Sequence, residues 1–460
     1  MRIKKNLLKE NYKIFFIIYF ILIIIISFSR FPDIKNELKY FIITDQILET
    51  KNFIILKYFN ELYPDKPPIY FWLLSLIKVL NKDNFYSISL IIGGIIPIGI
   101  TSYLLFKICK LYWSEKMAYI STAIFITLPY IFGVTLVLRM DTLMTMFIMC
   151  SLYIFFSYYL NQESISINNY LYLYVFIAIG ILVKGGAALI IPLLTILCFL
   201  YLNKDLKYLK KMKILKGLFI ILVIIGVWFI LISISNNGTE YRNLLIGQET
   251  IGRVIKSKSH IRPIYYYLIQ LPLTTLPIAP FFILGLYQNL KNLYNLKFID
   301  KIAFSLVIPN LAFFSLISGK LDIYLLPLYF GIVIISLRGI EHKYYKIKYS
   351  IYKNILRLNC IIFSICFVVL PYYTKNYTLR DSVKFLSNRN QKIIYTYRFD
   401  DAKNISNEIG FKDIYDINLK DINNLEKESL ILTRRKYKNN LDDKNIKCIY
   451  SNKKYFIFEK

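Results

Sequence analysis

Along this chain, apolar runs alternate with short polar breaks. Eleven such runs stand out: 13–29, 87–106, 117–136, 142–160, 169–183, 187–202, 214–234, 264–287, 302–317, 323–338 and 354–372. Runs such as 14–29 and 215–233, with their flanking residues, are long enough to cross a hydrocarbon core of ~30 Å. The pattern therefore predicts membrane-spanning helices. A shorter apolar piece, 69–80, reads as a partial or re-entrant segment. From Tyr373 onward the pattern changes. Lys392-Ile-Ile-Tyr-Thr-Tyr397, Ser429-Leu-Ile-Leu-Thr433 and Tyr455-Phe-Ile-Phe458 predict strands, and 379–388 and 400–409 predict helices between them. The expected layout is a transmembrane domain over 1–372, with a first outer loop at 30–86, and a small α/β domain over 373–460.

Composition agrees with a polytopic membrane protein. The 460 residues are 56% hydrophobic, too apolar for a soluble domain of this size. A cleavable signal peptide is not expected, because the run after Lys13 is long and no small-residue cleavage site follows it. The formal charge of +29 does not call for a nucleic-acid partner. Much of the Lys lies in short loops between runs, where it orients the protein and meets anionic membrane lipid. The six cysteines include no CxxC pair, so neither a disulfide scaffold nor a metal framework is suggested.

Loop charge sets an expected orientation. The N-terminus carries Arg2, Lys4, Lys5, Lys9 and Lys13, and alternate loops are basic: Lys107, Lys110 and Lys116; 204–213; Lys291, Lys297 and Lys301; 338–353. The 161–168 loop is the exception, being nearly uncharged. Basic loops stay in the cytoplasm. The expected place is thus the plasma (inner) membrane with a cytoplasmic N-terminus. The loops 30–86, 137–141, 184–186, 235–263 and 318–322, and the tail, then face outward.

That outer side gathers Asp33, Glu37, Asp65, Lys66, Arg139, Asp141, Lys184, His260, Arg262, Lys320, Asp322 and Tyr324. Charges at span ends are costly unless paired or hydrated, so such a collection marks function. Its centre is Tyr63-Pro-Asp-Lys-Pro-Pro-Ile-Tyr-Phe-Trp72. Pro and Asp also make ordinary turns. Here, however, Pro67-Pro68 stiffens the backbone and holds Lys66 against an aromatic-rich helix. Arg139 and Asp141 open a span, where an Arg can merely snorkel and an Asp merely favour a helix N-terminus. Lys184-Gly-Gly places a cation at what reads as a close-packed bend. His260 precedes Arg262-Pro263 and Tyr265–Tyr267, whereas His342 sits in a basic loop. Tyr324, beyond Ser318-Gly319, can donate to a phosphate oxygen or belong to the interfacial aromatic belt. No P-loop, GxGxxG, HExxH or GxSxG motif appears in a supporting context.

Taken in order, Asn36-Glu-Leu-Lys-Tyr40, Phe59 through Trp72, Arg139-Met-Asp141, Leu182-Val-Lys-Gly185, His260-Ile-Arg-Pro263, Ser318-Gly-Lys-Leu321 and Tyr324-Leu-Leu-Pro327 resemble the bacterial aminoarabinose transferase and protein O-mannosyltransferase superfamily. These are GT-C fold glycosyltransferases that take a sugar from polyprenyl phosphate at the outer membrane face. The resemblance covers roughly 30–330. It implies that Lys66 and Tyr324 contact donor phosphate, and that Asp65, where the family commonly has Glu, together with His260 holds a divalent metal, zinc being the candidate. The family's first loop opens with Asp-Glu; this chain has Asn36-Glu37, with Asp33 close by.

A transfer of this kind leaves negative charge on the departing lipid phosphate, which suits fixed cations: Lys66, with Lys184, Arg262 or Lys320. The acceptor hydroxyl must lose a proton, which suits a carboxylate of Asp33, Glu37 or Asp141. The expected partners are a polyprenyl-phosphate-linked sugar and a lipid (lipid A-like), glycan or protein acceptor. A transporter or flippase of a lipid-linked sugar is the alternative, and it would place its charges near mid-membrane. An assembly protein binding through its tail would need no Asp-Lys pair.

Overall fold

In the computed structural model of the chain, residues 2–59, 61–160, 170–247, 260–410, 412–442 and 446–460 are described, the side chains of 2–10 and 294 excepted. The 161–168 loop, Asn60, and 248–259 of the 235–263 loop lie outside the described residues, as do the side chains of Arg2, Lys4, Lys5 and Lys9.

Most of the apolar runs form helices. α1 (Arg2–Ser29) leads into the first long loop, which carries α2 (Glu37–Thr50) and α3 (Ile69–Leu80). Then come α4 (Phe85–Tyr112), α5 (Glu115–Thr127), α6 (Pro129–Thr135), α7 (Met140–Leu160), α8 (Tyr170–Lys184), α9 (Ala187–Leu202) and α10 (Ile214–Ile234). α11 (Tyr266–Thr274), α12 (Ala279–Lys291), α13 (Phe298–Leu316), α14 (Asp322–Lys343) and α15 (Lys348–Tyr377) complete the bundle. By length and composition, seven of the described helices can cross a membrane, or eight if the bent pair α5–α6 is one span.

The remaining expected spans differ from the reading for identifiable reasons. The 117–136 run bends by 63° where Pro129 starts α6, since a proline is tolerated in a first turn but not within a helix. The 264–287 run is broken over 275–278 into α11 and α12. α8 and α9 have 15 and 16 residues, about 22–24 Å at 1.5 Å per residue, shorter than the hydrocarbon core. They turn at Gly185, whose φ of +111° requires glycine. A Cβ at Gly185 or Gly186 would meet no neighbour within 4 Å, so this bend is not close-packed; backbone conformation, not packing, demands the glycine.

Helix α14 is almost wholly enclosed, whereas α1, α10 and α15 leave most of their apolar side chains on the outside. α14 meets α12 at Gly285 and Gly339, where a Cβ on Gly339 would lie 2.6 Å from the Phe281 carbonyl oxygen. Small residues let helix backbones approach this closely.

α15 runs on to Tyr377, five residues past the expected boundary at 372, so the tail domain begins just before α16 (Arg380–Ser387). A hairpin of β1 (Lys57–Tyr58) and β2 (Glu61–Leu62) lies in the first loop. The tail holds β3 (Ile393–Tyr397), β4 (Asp413–Ile417), β5 (Leu430–Arg434), β6 (Lys447–Ser451) and β7 (Tyr455–Glu459), in the order β4-β3-β5-β7-β6. β3 pairs parallel with β4 and β5; β7 pairs antiparallel with β5 and β6. The three strands legible in the sequence are the inner ones. β4 and β6 are edge strands, more exposed and therefore less apolar. The expected 400–409 helix is two short 3-10 turns, Asp400–Ile405 and Asn407–Ile409.

The tail domain docks on the first loop through polar contacts. Tyr58 donates to Asn404 Oδ1 at 2.6 Å, Asn404 Nδ2 donates to the Ile34 carbonyl at 2.8 Å, and Asn407 Nδ2 donates to Asp45 at 2.5 Å. This places it over the same end of the bundle as α2, α3 and the 137–141, 184–186 and 318–322 loops.

Candidate active site

The Asp-Lys-Pro-Pro block forms as its residues require. Pro68 precedes α3 with φ −86°, a helix-compatible angle, and Trp72 in the first turn donates Nε1 to the Phe53 carbonyl at 2.6 Å. Tyr70 and Phe71 are fully buried behind it. Lys66 is thereby held at the mouth of α3, its ammonium donating to the Asp65 carbonyl at 3.0 Å.

Asp65 and Lys66 open onto a cavity of about 440 Å³. Lys35, Asn36, Lys39 and Tyr40 line it from the start of α2, Arg139 from the loop before α7, and Lys184 from the end of α8. His260 and Tyr324 line its far side, and Met144, Ala187, Phe314, Ile317 and Leu321 supply an apolar wall. Among the lining residues are five Lys or Arg and one carboxylate, Asp65.

Lys184 and Arg139 are both positioned by Asp141, which is buried in the first turn of α7. Arg139 Nε reaches Asp141 Oδ2 at 3.2 Å, and the Lys184 ammonium contacts Oδ1. Even with Asp141 counted against them, the cations exceed the carboxylates by three. Lys39 lies over the rings of Tyr58 and Tyr63 at 4.6 and 4.5 Å, and Lys184 over that of Tyr324 at 5.0 Å. Burial pushes the Tyr40 hydroxyl up to about 12, so it remains a hydrogen-bond donor at neutral pH.

Of the expected site residues, Lys66, Lys184, Tyr324, Asp65 and His260 line one cavity. Five others sit elsewhere. Glu37 is fully buried and both oxygens are occupied: Arg30 grips it at 2.8 and 2.7 Å, and the backbone N–H groups of Asp33 and Leu138 donate to it at 2.5 Å. It braces the first loop against the 137–139 loop. Asp33 accepts from the Asn36 backbone at 2.9 Å and lines a separate cavity. Asp141 stands behind the wall as a bracket for two cations.

Arg262 and Lys320 also lie off the lining. Lys320 is buried, and its ammonium donates to the carbonyls of Arg262, at 3.0 Å, and of Ile317. Burial depresses its pKa. It staples the 260–262 segment to the 318–320 loop, which pair through Ile261 and Gly319. Arg262 lies over the Tyr266 ring at 5.7 Å.

The sequence reading missed Lys35 and Lys39. Lys39 has a signal in helical spacing, three residues after Asn36, the N-cap of α2, whereas Lys35 lies ahead of the helix.

Asp65 and His260 share the lining, but among the described residues no group of three or more His, Cys, Asp or Glu could hold a metal ion. Zinc centres take three or four protein ligands. The described donor set does not fit a zinc centre made by the protein alone.

The fold and the site together define a class of protein: a helical membrane bundle with a cation-rich, half-apolar cavity at one end, under a small α/β domain. Residues 65–230 match the family model described as Dolichyl-phosphate-mannose-protein mannosyltransferase. The chain is 28% identical over 359 residues to an Undecaprenyl phosphate-alpha-4-amino-4-deoxy-L-arabinose arabinosyl transferase of Wigglesworthia glossinidia brevipalpis, covering 75% of this chain and 61% of that one. It is 22% identical over 373 residues to the transferase of the same name from Serratia proteamaculans, covering 79% and 65%. The chain thus spans under two thirds of the length of these relatives. Among solved structures, ArnT from Cupriavidus metallidurans bound to undecaprenyl phosphate superposes with a TM-score of 0.74 at 13% identity, over 98% of each chain. The apo state of the same protein gives 0.71. The resemblance read from the motifs holds, and the chain has the GT-C fold of that superfamily.

Proposed function

We propose that this protein is a glycosyltransferase that moves a sugar from a polyprenyl-phosphate donor to an acceptor hydroxyl at the outer face of the plasma membrane. The observation that carries this is the cavity's charge: five cations around one carboxylate, beside an apolar wall. A phosphate on an isoprenoid tail meets both features.

In this reading Lys66, Arg139 and Lys184 bind the donor phosphate, and Tyr40 and Tyr324 donate hydrogen bonds to it. As the bond between the anomeric carbon and the phosphate oxygen breaks, its electron pair leaves with the phosphate, and the fixed cations stabilise that charge without reorganising. The acceptor oxygen bonds to the anomeric carbon, and its proton passes to Asp65, the one carboxylate among the lining residues. Direct displacement inverts the anomeric centre. The related enzymes' names motivate undecaprenyl phosphate as carrier and aminoarabinose as a first sugar to test. Acceptor classes are lipid A-like lipids, glycans and proteins.

The test is release of undecaprenyl phosphate from a labelled donor by the purified full chain in proteoliposomes. Turnover that depends on acceptor and on Lys66 is the expected result. Donor movement across the bilayer without bond cleavage would mark a flippase instead. The outward orientation is tested by a reporter active only in the cytoplasm, fused after Lys460; it should be dark.

A further inference from the structure

One residue of the tail domain reaches two points of the wall that the first loop gives to the cavity beside Asp65 and Lys66. Asn404 sits in the 3-10 turn Asp400–Ile405 and is 3% exposed. Both atoms of its amide are used, and both on the first loop: Oδ1 accepts from the Tyr58 hydroxyl at 2.6 Å, and Nδ2 donates to the Ile34 carbonyl at 2.8 Å. Ile34 directly precedes Lys35 and Asn36, which line the cavity, and the Tyr58 ring carries Lys39, which lines it too. Asn407 also docks the tail on the first loop, but its partner is Asp45, which is not in the lining.

The link through Tyr58 ends on a cavity cation. Lys39 is half-buried, its ammonium 4.6 Å from the Tyr58 ring centroid and 4.5 Å from that of Tyr63, with the two rings 6.5 Å apart. Each ring is fixed from outside the cavity. At Tyr63 the backbone does this: its carbonyl accepts from the Tyr241 hydroxyl at 3.1 Å, and its N–H donates to the Leu56 carbonyl at 2.8 Å. Tyr58 belongs to a hairpin of two residues a side, which has little stability of its own. Its hydroxyl is anchored on Asn404. Burial, with Asp401 nearby, pushes that hydroxyl up to about 12, so it stays a donor at neutral pH. Lys403, the neighbour of Asn404, lies over the same ring at 5.3 Å.

A lysine stem is flexible and has much rotamer freedom to lose. A cation stabilises developing charge best when it is already in place. The faces of two fixed rings supply that order by attracting the ammonium. We infer that Asn404 is a positioning residue for the cavity: through the Tyr58 hydroxyl it fixes the ring that holds Lys39. The consequence for turnover rests on the transferase reading, in which Lys39 joins the cations that meet the donor. The tail domain then sets the order of the first-loop wall without touching the ligand.

Asn404→Ala, Lys39→Met and the double variant are compared with wild type as full chains in proteoliposomes, per folded molecule. Each single change should lower kcat/KM for the donor about tenfold. The double variant should match Lys39→Met within about twofold, because one loss acts through the other. Asn407→Ala removes a docking contact that does not touch the ring, and it should keep kcat/KM within about twofold of wild type. Tyr58→Phe keeps the ring and deletes only the hydroxyl, so it should lower kcat/KM in the same direction and serves if Asn404→Ala folds poorly. Acylation of lysine amines, read by mass spectrometry, follows the clamp without turnover. Labelling of Lys39 should rise about threefold or more in Asn404→Ala, with that of Lys66 unchanged. Three outcomes overturn the inference: wild-type kcat/KM and labelling in both Asn404→Ala and Tyr58→Phe; fully additive losses in the double variant; or an equal loss in Asn407→Ala. A wild type that releases no undecaprenyl phosphate, while Lys39 labelling still rises in Asn404→Ala, would sink the transferase reading and leave this one standing.

Discussion

Two charged clusters sit at opposite ends of the bundle, and they are built differently. At the end formed by Tyr112–Trp113, Lys297 and the last turn of α14, Arg338 grips Asp300 at 2.7 and 3.0 Å and Glu341 at 2.5 Å, and Lys348 reaches Glu341 at 2.9 Å. Within this bonded network two cations meet two carboxylates, and their charges cancel. At the other end the cavity beside Asp65 and Lys66 keeps a surplus of three positive charges after Asp141 is counted. Pairing that cancels holds helices together. A surplus in a semi-apolar cavity has a standing cost, which an anionic ligand relieves. On the proposed function, the difference separates a cluster that serves folding from one that serves chemistry.

The comparison breaks most visibly at Arg338. Arg338→Ala leaves Asp300 buried without its cation and Glu341 with Lys348 alone, which costs about 3–5 kcal/mol. The thermal midpoint in detergent should fall sharply, while turnover per folded molecule stays at the wild-type level. Lost turnover at full folding would tie this end to the chemistry.

Lys66→Ala should do the reverse. A cation on the leaving phosphate is worth about 3 kcal/mol, roughly 100-fold in rate. Transfer at saturating donor should drop by that factor with the midpoint unmoved; near-wild-type turnover would remove Lys66 from the site.

The carboxylates sharpen the contrast within the outer end itself. Asp65→Asn should slow transfer about 100-fold while donor binding holds or tightens, because a negative charge leaves a cation-rich cavity. Glu37→Gln should lower the midpoint by loosening the Arg30 bracket, and the folded fraction should keep its turnover. The opposite pair of results would make Glu37 the proton acceptor.

The smallest effect expected is on metal content. Wild type and His260→Ala, analysed by elemental mass spectrometry, should carry the same amount of zinc. A stoichiometric ion present only in wild type would restore the Asp65–His260 centre that the family resemblance implies.

Much of the fold was legible because a membrane makes hydropathy informative. Unbroken apolar runs marked the long helices, and the docking of the tail over the first loop is consistent with both having been read on one side. Runs such as 117–136 and 264–287 were less legible, since hydropathy averages over a bend at Pro129 or a break at 275–278. β4 and β6 escaped notice because edge strands bury little. Lys66, Lys184, Tyr324, Asp65 and His260 were found by their places at span ends, and they do share one cavity.

The sequence by itself determined the class of protein, the end of the bundle where polar residues gather, and the stiff Asp65-Lys66 turn. These follow from local chemistry: apolar length, proline geometry and charge near a hydrocarbon boundary. Only the tertiary structure decided which charges face the cavity. Glu37, Lys320 and Asp141 are as polar as Asp65 and Lys66 and lie at the same end. Yet Arg30 and two backbone N–H groups saturate Glu37, two carbonyls take up Lys320, and two cations enclose Asp141. A side chain's partners come from distant parts of the chain, and whether it is spent on the fold or left to a ligand is set by those partners.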